Sequence, residues 1–547
     1  MSESAHIDTF TRDHLPPRDQ WPDITFDLPE LRYPDMLNCG VELLDRALER
    51  GWGERPAILA SGGVRWTYQE LLAHANRIAH VLVDDLHLVP GNRVLLRGPN
   101  SPMMAACWFA VMKAGGVAVA TMPLLRAKEL TEIVAKAQVT HALCDARLAV
   151  ELDSARATCP TLATVVQFET TAPGGVEARA AGKPSHFENV ATAAEDTALI
   201  AFTSGTTGRP KGTMHFHRDV MASCDCWPRS TLRAEGDDIF TGSPPLAFTF
   251  GLGGLLLFPM RAGAATLLLE KPSAEALLEA IATHRATILF TAPTSYRAMA
   301  ALAPRYDLRS LRKCVSAGEA LPAATRQLWK DMTGIEMIDG IGATEMLHIF
   351  ISHDATQAKP GATGRAVPGY QACVMDEAGH PLPPGKVGRL AVKGPTGCKY
   401  LDDDRQRQYV QHGWNYTGDA YLVDADGWFV YQARTDDMIV SAGYNIAGPE
   451  VEAALLGHSA VAECGVIGVP DFERGQIVKA YVVLKAGHMA DAAMAKQLQE
   501  HVKHEIAPYK YPRAVEFIER MPRTETGKLQ RFRLKQLDDE RRRADAR

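Results

Sequence analysis

Residues 203 to 212 read Thr203-Ser204-Gly205-Thr206-Thr207-Gly208-Arg209-Pro210-Lys211-Gly212, directly behind the apolar run 198–202. A strand that releases such a loop exposes amide N–H groups beside Ser and Thr hydroxyls and an ammonium, which suits a polyphosphate such as that of ATP. The string is not a Walker loop, because Lys211 follows Pro210 and precedes Gly212 instead of sitting in Gly-Lys-Ser/Thr. A plain polar surface loop accounts for the glycines and hydroxyls but not for their order. Two other groups invite a metal reading: His215 and His217 alternate in Met-His-Phe-His, and Cys224 and Cys226 are the one close pair among ten cysteines. Neither has the partners or spacing of a metal centre, so both are read as ordinary core side chains.

The elements that must hold the loop alternate between helix and strand. Residues 43–125 read as helix, strand, helix, strand, with a helical period over 68–83 and a short apolar strand at 93–96. The alternation recurs at 198–202, 264–269, 274–284 and 287–290. From about Gly364 the texture changes to short runs such as 372–375 and 388–392 between Gly and Pro turns, which suits a small antiparallel β unit. Beyond 436 a helix at 449–456, strands at 461–469 and 478–484 and a helix at 489–505 predict a compact α+β domain. The charge run 538–547 is read as a solvated end.

Composition narrows the classes. At about 150 residues per domain, 547 residues make three to four domain-sized units. Hydrophobic residues at 46% and charged residues at 23% exclude global disorder. The 59 basic and 65 acidic residues leave a net charge of −6, which does not attract phosphate backbones, so nucleic acid is not expected as a partner. Segment 1–17 lacks the basic region and apolar core of a signal peptide. The apolar stretches 103–125 and 246–269 are broken by Lys113 with Gly115-Gly116 and by Pro259 with Arg261, so no membrane span is expected. Scattered cysteines fit a reducing, cytoplasmic location.

The string 203–212 resembles the phosphate-loop signature of the adenylate-forming enzymes: acyl-CoA synthetases, luciferases and peptide-synthetase adenylation domains. Their other segments follow in order. Gly318-Glu319-Ala320-Leu321 is similar to the stretch beside the adenine, and Asp339-Gly340-Ile341-Gly342-Ala343-Thr344-Glu345 to the segment between adenine, phosphates and metal. Tyr416-Thr417-Gly418-Asp419 resembles the ribose turn, Arg434-Thr435-Asp436-Asp437 the interdomain hinge, Ser441-Ala442-Gly443-Tyr444-Asn445 the loop after it, and 522–528 the motif of the catalytic lysine. The resemblance implies an α/β fold: a large N-terminal domain over 1–435, built of two α/β subdomains plus a small β-barrel-like unit, and a mobile α+β C-terminal domain over 436–547.

It also implies roles. Thr203 through Gly208 and Lys211 would hold phosphates, Thr344 would offer a hydroxyl, and Glu345 would supply the hard oxygen that Mg²⁺ prefers. Asp419 would accept from the two ribose hydroxyls, Arg434 would add donors, and Asp436 would be the hinge. Lys528 would stabilise charge as a carboxylate attacks the α-phosphate, and the pantetheine arm of coenzyme A would pass Gly443 and Tyr444. Read without the motif, Glu345 would be a solvated surface group, Asp419 a turn-forming residue, Arg434 a surface ion-pair partner and Lys528 a solvated tail lysine.

In much of the superfamily the position of Ile341 is aromatic. Asp-Gly-Ile-Gly, Glu-Met-Leu-His-Ile-Phe and Arg-x-Asp-Asp-Met resemble aryl-CoA ligases of the benzoate type, and 243–254 and 441–450 look most like 2-aminobenzoate-CoA ligases. By position, Phe248, Thr249, Phe250, Gly251, Ala317, Gly340, Ile341 and His348 would enclose a small apolar slot suited to a flat ring. His348 reads as a core residue or as a partner for an ortho-amino group, and both readings stay open. The expected reaction joins a small aromatic acid to CoA through an acyl-adenylate, using ATP and releasing pyrophosphate and AMP, with homodimerisation left open. Its rivals are an enzyme that loads a carrier protein, though no carrier domain follows residue 547, and a silent nucleotide-binding module, though Glu345 and Lys528 are both present.

Overall fold

The computed structural model describes residues 3–203, 210–441, 444–471, 474–506, 508–523 and 529–545, without the side chains of 436, 440, 444, 445, 544 and 545. Two large sheets form the N-terminal part. One has six strands in the order Thr164–Phe168, His141–Asp145, Arg93–Arg97, Val117–Thr121, Thr197–Thr203 and Lys211–Phe216. All neighbours are parallel except the last pair. The other has nine strands, in the order Arg365–Ala366, Ile349–Ser352, Met337–Gly342, Lys313–Ser316, Ile288–Thr291, Ile239–Gly242, Ala265–Leu268, Pro56–Ala60 and Val64–Thr67. Its strands from Met337–Gly342 to Pro56–Ala60 run parallel.

Between the sheets lies the helix Pro102–Lys113, capped by Ser101 and buried on every side from Met103 onward. An all-round apolar helix is stable only where every face has a partner, and here the two sheets and the helix Tyr68–His80 supply it. Lys113, which breaks the apolar stretch, is fully buried and ends 2.5 Å from Asp45 Oδ2. Its charge is matched inside the fold. The helix Tyr68–His80 starts at a capping box: Thr67 Oγ1 accepts the Glu70 N–H at 3.2 Å and Glu70 accepts the Thr67 N–H at 2.8 Å.

The β unit expected from 364 is an open five-stranded antiparallel sheet of Gln371–Met375, Gly388–Lys393, Val410–Gln411, Trp414–Val423 and Phe429–Arg434. A separate C-terminal domain packs helices Gly448–Leu456 and Ala492–Glu505 on a three-stranded sheet around Val451, Leu455, Val466, Val478 and Leu498. Two expectations there need correction. The helix read from 489 starts at Ala492, because the Asp491 carboxylate accepts the Met494 N–H at 2.8 Å and caps it. The charge run from 538 belongs to the helix Arg531–Asp545, whose Leu534 is fully buried and whose Asp538 is only 3% exposed, accepting from Lys479 at 2.6 Å. That end is docked. No described helix is long and apolar enough to cross a membrane.

Candidate active site

The parallel strands Ile239–Gly242, Ile288–Thr291, Lys313–Ser316 and Met337–Gly342 end on one edge of their sheet, where the chain continues into 243–248, 292–294, 317–320 and 343–345. Ligands of open α/β sheets bind outside such carboxyl ends. Opposite them, Thr203 closes its strand and pairs in register with Lys211. The predicted loop therefore joins two antiparallel strands, and Lys211 opens the second of them. Ser204, Gly205, Thr206, Thr207 and Gly208 lie outside the described residues. Thr203 Oγ1 is buried with no hydrogen-bond partner among the described residues.

Lys211 Nζ donates to Tyr400 Oη at 2.8 Å and lies 3.4 Å from Glu345 Oε1. The Tyr400 hydroxyl donates to that same oxygen. Glu345 is 6% exposed and, among the described residues, no hydrogen bond reaches its Oε2. Burial, then the Glu345 charge, push the Tyr400 phenol far above its ordinary value, so it stays a donor. Tyr400 arrives because segment 399–401 runs along the strand Lys211–Phe216: Met214 N–H donates to Lys399 O at 2.8 Å and Leu401 N–H to Gly212 O at 2.8 Å. From the other side His215 Nε2 donates to Thr344 O at 2.7 Å, and Lys399 donates to buried Asp219 at 2.9 Å. His215 thus steadies the Thr344–Glu345 turn, and His217 contacts Cys39 Sγ at 3.1 Å. Among the described residues no three His, Cys, Asp or Glu side chains converge on a metal position. A buried carboxylate with one oxygen free of partners among the described residues, beside Lys211 and Thr344, would suit a hard cation such as Mg²⁺.

Asp419 and Arg434 are cross-strand partners, and Arg434 Nη1 donates to Asp419 Oδ1 and to Thr417 O, each at 3.0 Å. Burial raises the Asp419 carboxyl, and Arg434 opposes that rise. Gly418 is required between them: its φ is +76°, and a Cβ there would sit 2.6 Å from Arg434 Nη2. Gly318, Glu319 and Ala320 follow the strand Lys313–Ser316 on the open side, and Thr294 Oγ1 donates to Glu319 at 2.7 Å. Asp339 is buried, which lifts its carboxyl to about 7 against the pull of Arg326. Gly342 ends the same strand.

Of the predicted slot residues, Phe250 packs against His348. Phe248 caps the helix Thr249–Leu252, which runs on through 253–257 into Phe258–Ala262. Phe250 and Phe258 place their ring centroids 5.6 and 4.5 Å from His348, while Trp227 stacks on it at 5.8 Å and Phe290 closes the group at 6.4 Å. Trp227, Phe258 and Phe290 escaped the reading of the sequence, since nothing local distinguishes them from core aromatics. Ala317 is buried at the end of its strand, and Ile341 is half-buried, pairing with Ile351 while Gly340 pairs with Ser352. Gly251 does not face this space. A Cβ on it would lie 2.1 Å from Pro245 O, so it serves the close approach of the helix to segment 244–245. Leu347 adopts φ +69°, a costly conformation for leucine, and with it the chain reverses between Glu345 and His348.

His348 Nε2 meets Phe250 O at 3.3 Å, and Nδ1 is buried with no partner among the described residues. Burial pushes this imidazole down to about 3, and His217 likewise. Because their folded values lie below the ordinary 6.5, stability is full above pH 6.5 and is lost as the pH falls from there toward 3. The thermal midpoint is expected to drop between pH 7 and pH 5, and His348→Gln to lessen the drop. An unchanged midpoint over that interval, followed by calorimetry, would contradict the buried neutral state.

Fold and site together define a nucleotide-dependent acid-activating enzyme, and comparison with known proteins names the family. A profile described as AMP-binding enzyme matches residues 44–399, and one described as AMP-binding enzyme C-terminal domain matches 450–528. The chain belongs to the AMP-binding enzyme family. It is 34% identical to a benzoate–CoA ligase of Thauera aromatica over 513 residues, covering 93% of this chain and 97% of that protein. Among solved structures it superposes on the anthranilate CoA ligase AuaEII in complex with anthranoyl-AMP with a TM-score of 0.88 at 33% identity, covering 93% and 99%. A benzoate CoA ligase from Burkholderia xenovorans LB400 gives 0.82 at 32%, covering 91% and 99%.

Proposed function

We infer that this AMP-forming acid–CoA ligase acts on a small aromatic carboxylate, 2-aminobenzoate ahead of benzoate, and converts it to its CoA thioester through an acyl-adenylate. The observation that carries the 2-amino preference is the unpartnered Nδ1 of His348 inside an aromatic cluster. With Nε2–H given to Phe250 O, Nδ1 of the neutral ring is an acceptor, and an ortho-amino N–H is the donor that would satisfy it. The anthranilate ligase relative adds to this reading.

The substrate carboxylate attacks the α-phosphate of ATP and pyrophosphate leaves, then the CoA thiolate attacks the acyl carbon and AMP leaves. Lys211 and the hydroxyls of Thr203 and Thr344 serve the phosphates, Asp419 holds the ribose hydroxyls and Arg434 orients Asp419. Glu345 would hold a Mg²⁺ ion, which when bound would supply positive charge to the phosphates. Residues 1–435 and 436–547 act as two bodies with Asp436 between them. Asp436 lies in the short turn Thr435–Asp437, after the strand Phe429–Arg434 and before Ile439–Ser441. Rotation there would exchange Lys528 for the loop of Gly443 and Tyr444 when CoA enters. Gly443 lies outside the described residues, and Tyr444 opens the strand Tyr444–Ile446.

The test measures acid-dependent pyrophosphate release and then CoA thiol consumption over 2-aminobenzoate, benzoate, acetate and palmitate, in the wild type and in His348→Leu. We expect kcat/KM to favour the two aromatic acids, and the variant to lose about tenfold on 2-aminobenzoate relative to benzoate, the worth of one hydrogen bond. Equal kcat/KM for palmitate and benzoate would overturn the aromatic assignment. An unchanged 2-aminobenzoate to benzoate ratio in the variant would overturn the role of His348. Pyrophosphate release without thiol consumption would favour a carrier-loading enzyme.

A further inference from the structure

Glu345, the carboxylate read above as the metal ligand, offers Oε1 to two donors at once: the hydroxyl of Tyr400 and, at 3.4 Å, the ammonium of Lys211. The two donors differ in how firmly they are held. Lys211 is a long side chain, 22% exposed, and its natural counter-charge once a nucleotide enters is phosphate. Tyr400 is 1% exposed. Its backbone N–H donates to Gln406 Oε1 at 2.9 Å, and the Gln406 amide is pinned by Gln20 O at 2.8 Å and Cys398 O at 3.1 Å. Its ring meets Tyr409 edge-on at 5.8 Å. When Lys211 turns to phosphate, Tyr400 remains as the donor that fixes which oxygen of Glu345 faces inward and which is left for a cation. A phenol does this without cancelling the carboxylate charge, as a second ammonium would.

We propose that Tyr400 is a positioning residue for the divalent cation of the nucleotide, orienting the Glu345 carboxylate so that its unpartnered oxygen meets the metal. The proposal rests on the reading of Glu345 as metal ligand. Partners that orient a ligating carboxylate commonly set metal affinity by ten- to a hundredfold.

The experiment is an equilibrium one. The affinity of the full chain for ATP is measured by calorimetry with excess Mg²⁺ and again in EDTA, and the ratio of the two reports how strongly metal and nucleotide bind together. Tyr400→Phe removes one hydroxyl and keeps the ring against Tyr409. We expect it to lower the ratio about tenfold with affinity in EDTA unchanged, and Glu345→Gln to lower the ratio at least as far. An equal loss with and without metal in Tyr400→Phe would mark a structural role and overturn the proposal. An unchanged ratio in Tyr400→Phe, with the ratio lost in Glu345→Gln, would overturn the proposal alone. Should Glu345→Gln also keep the ratio, the metal assignment would fall with it.

Discussion

Lys528→Ala is expected to slow acyl-adenylate formation by at least about a hundredfold, or about 2.7 kcal/mol of barrier, while thioester formation from supplied acyl-adenylate stays within about threefold of wild type. The reason is when the charge appears. As the carboxylate attacks the α-phosphate, negative charge builds on oxygens that carry less of it in the ground state, and an ammonium placed there stabilises the transition state selectively. Lys528 lies outside the described residues, but the chain a few residues before it does not. Arg523 binds Glu463 through Nε at 3.1 Å and Nη2 at 2.7 Å, and its Nη1 lies 3.6 Å from Glu319 Oε1 on the large domain. The segment leading into the lysine motif is thus turned toward the 318–320 loop, the side on which adenylation would occur. Single-turnover assays of the two half-reactions decide the matter: equal damage to both would indicate a general binding or folding role.

Asp419→Ala is expected to act on the other kinetic constant, raising KM for ATP about thirty- to a hundredfold with kcat within about threefold. A ribose contact is made equally before and during the reaction, so its loss removes uniform binding. The loss is large because two things go together. The nucleotide forfeits a charged acceptor, and Arg434 forfeits its 3.0 Å partner in a site where Asp419 is only 8% exposed. Removing one member of such a pair costs on the order of 2–5 kcal/mol. Initial rates over a range of ATP concentrations separate the cases, and a fall in kcat at unchanged KM would show that Asp419 acts on the chemistry instead.

Much of the fold was legible because it is local. The helix expected over 274–284 is observed as Ala274–His284, where Ser273 caps the first turn and Leu277, Leu278 and Ile281 face the core. The strand ahead of loop 203–212 was equally clear, since the apolar run Ala198-Leu199-Ile200-Ala201-Phe202 ends at the first hydroxyl of that loop. Boundaries failed where a side chain from elsewhere decides them. Nothing near Asp538 signals a buried carboxylate; its partner Lys479 is on the strand Gly475–Leu484, and the helix Arg531–Asp545 is held by a core that includes Ile467, Val469 and Tyr481.

The order of the loop, the Asp339–Glu345 and Gly418–Asp419 segments and the final lysine motif was legible as a resemblance to adenylate-forming enzymes, which implied an ATP-using acid-activating enzyme, because each motif depends on neighbours along the chain. The partners within the site were decided in three dimensions. Tyr400 meets Glu345 only because segment 399–401 pairs with the strand of Lys211, and Asp419 meets Arg434 only through the register of two antiparallel strands. Trp227, Phe250, Phe258, Phe290 and His348 converge from four separate stretches of chain. Sheet register and interlayer packing set these contacts, and both arise from burying whole apolar faces at once, so no single stretch of residues carries their signature.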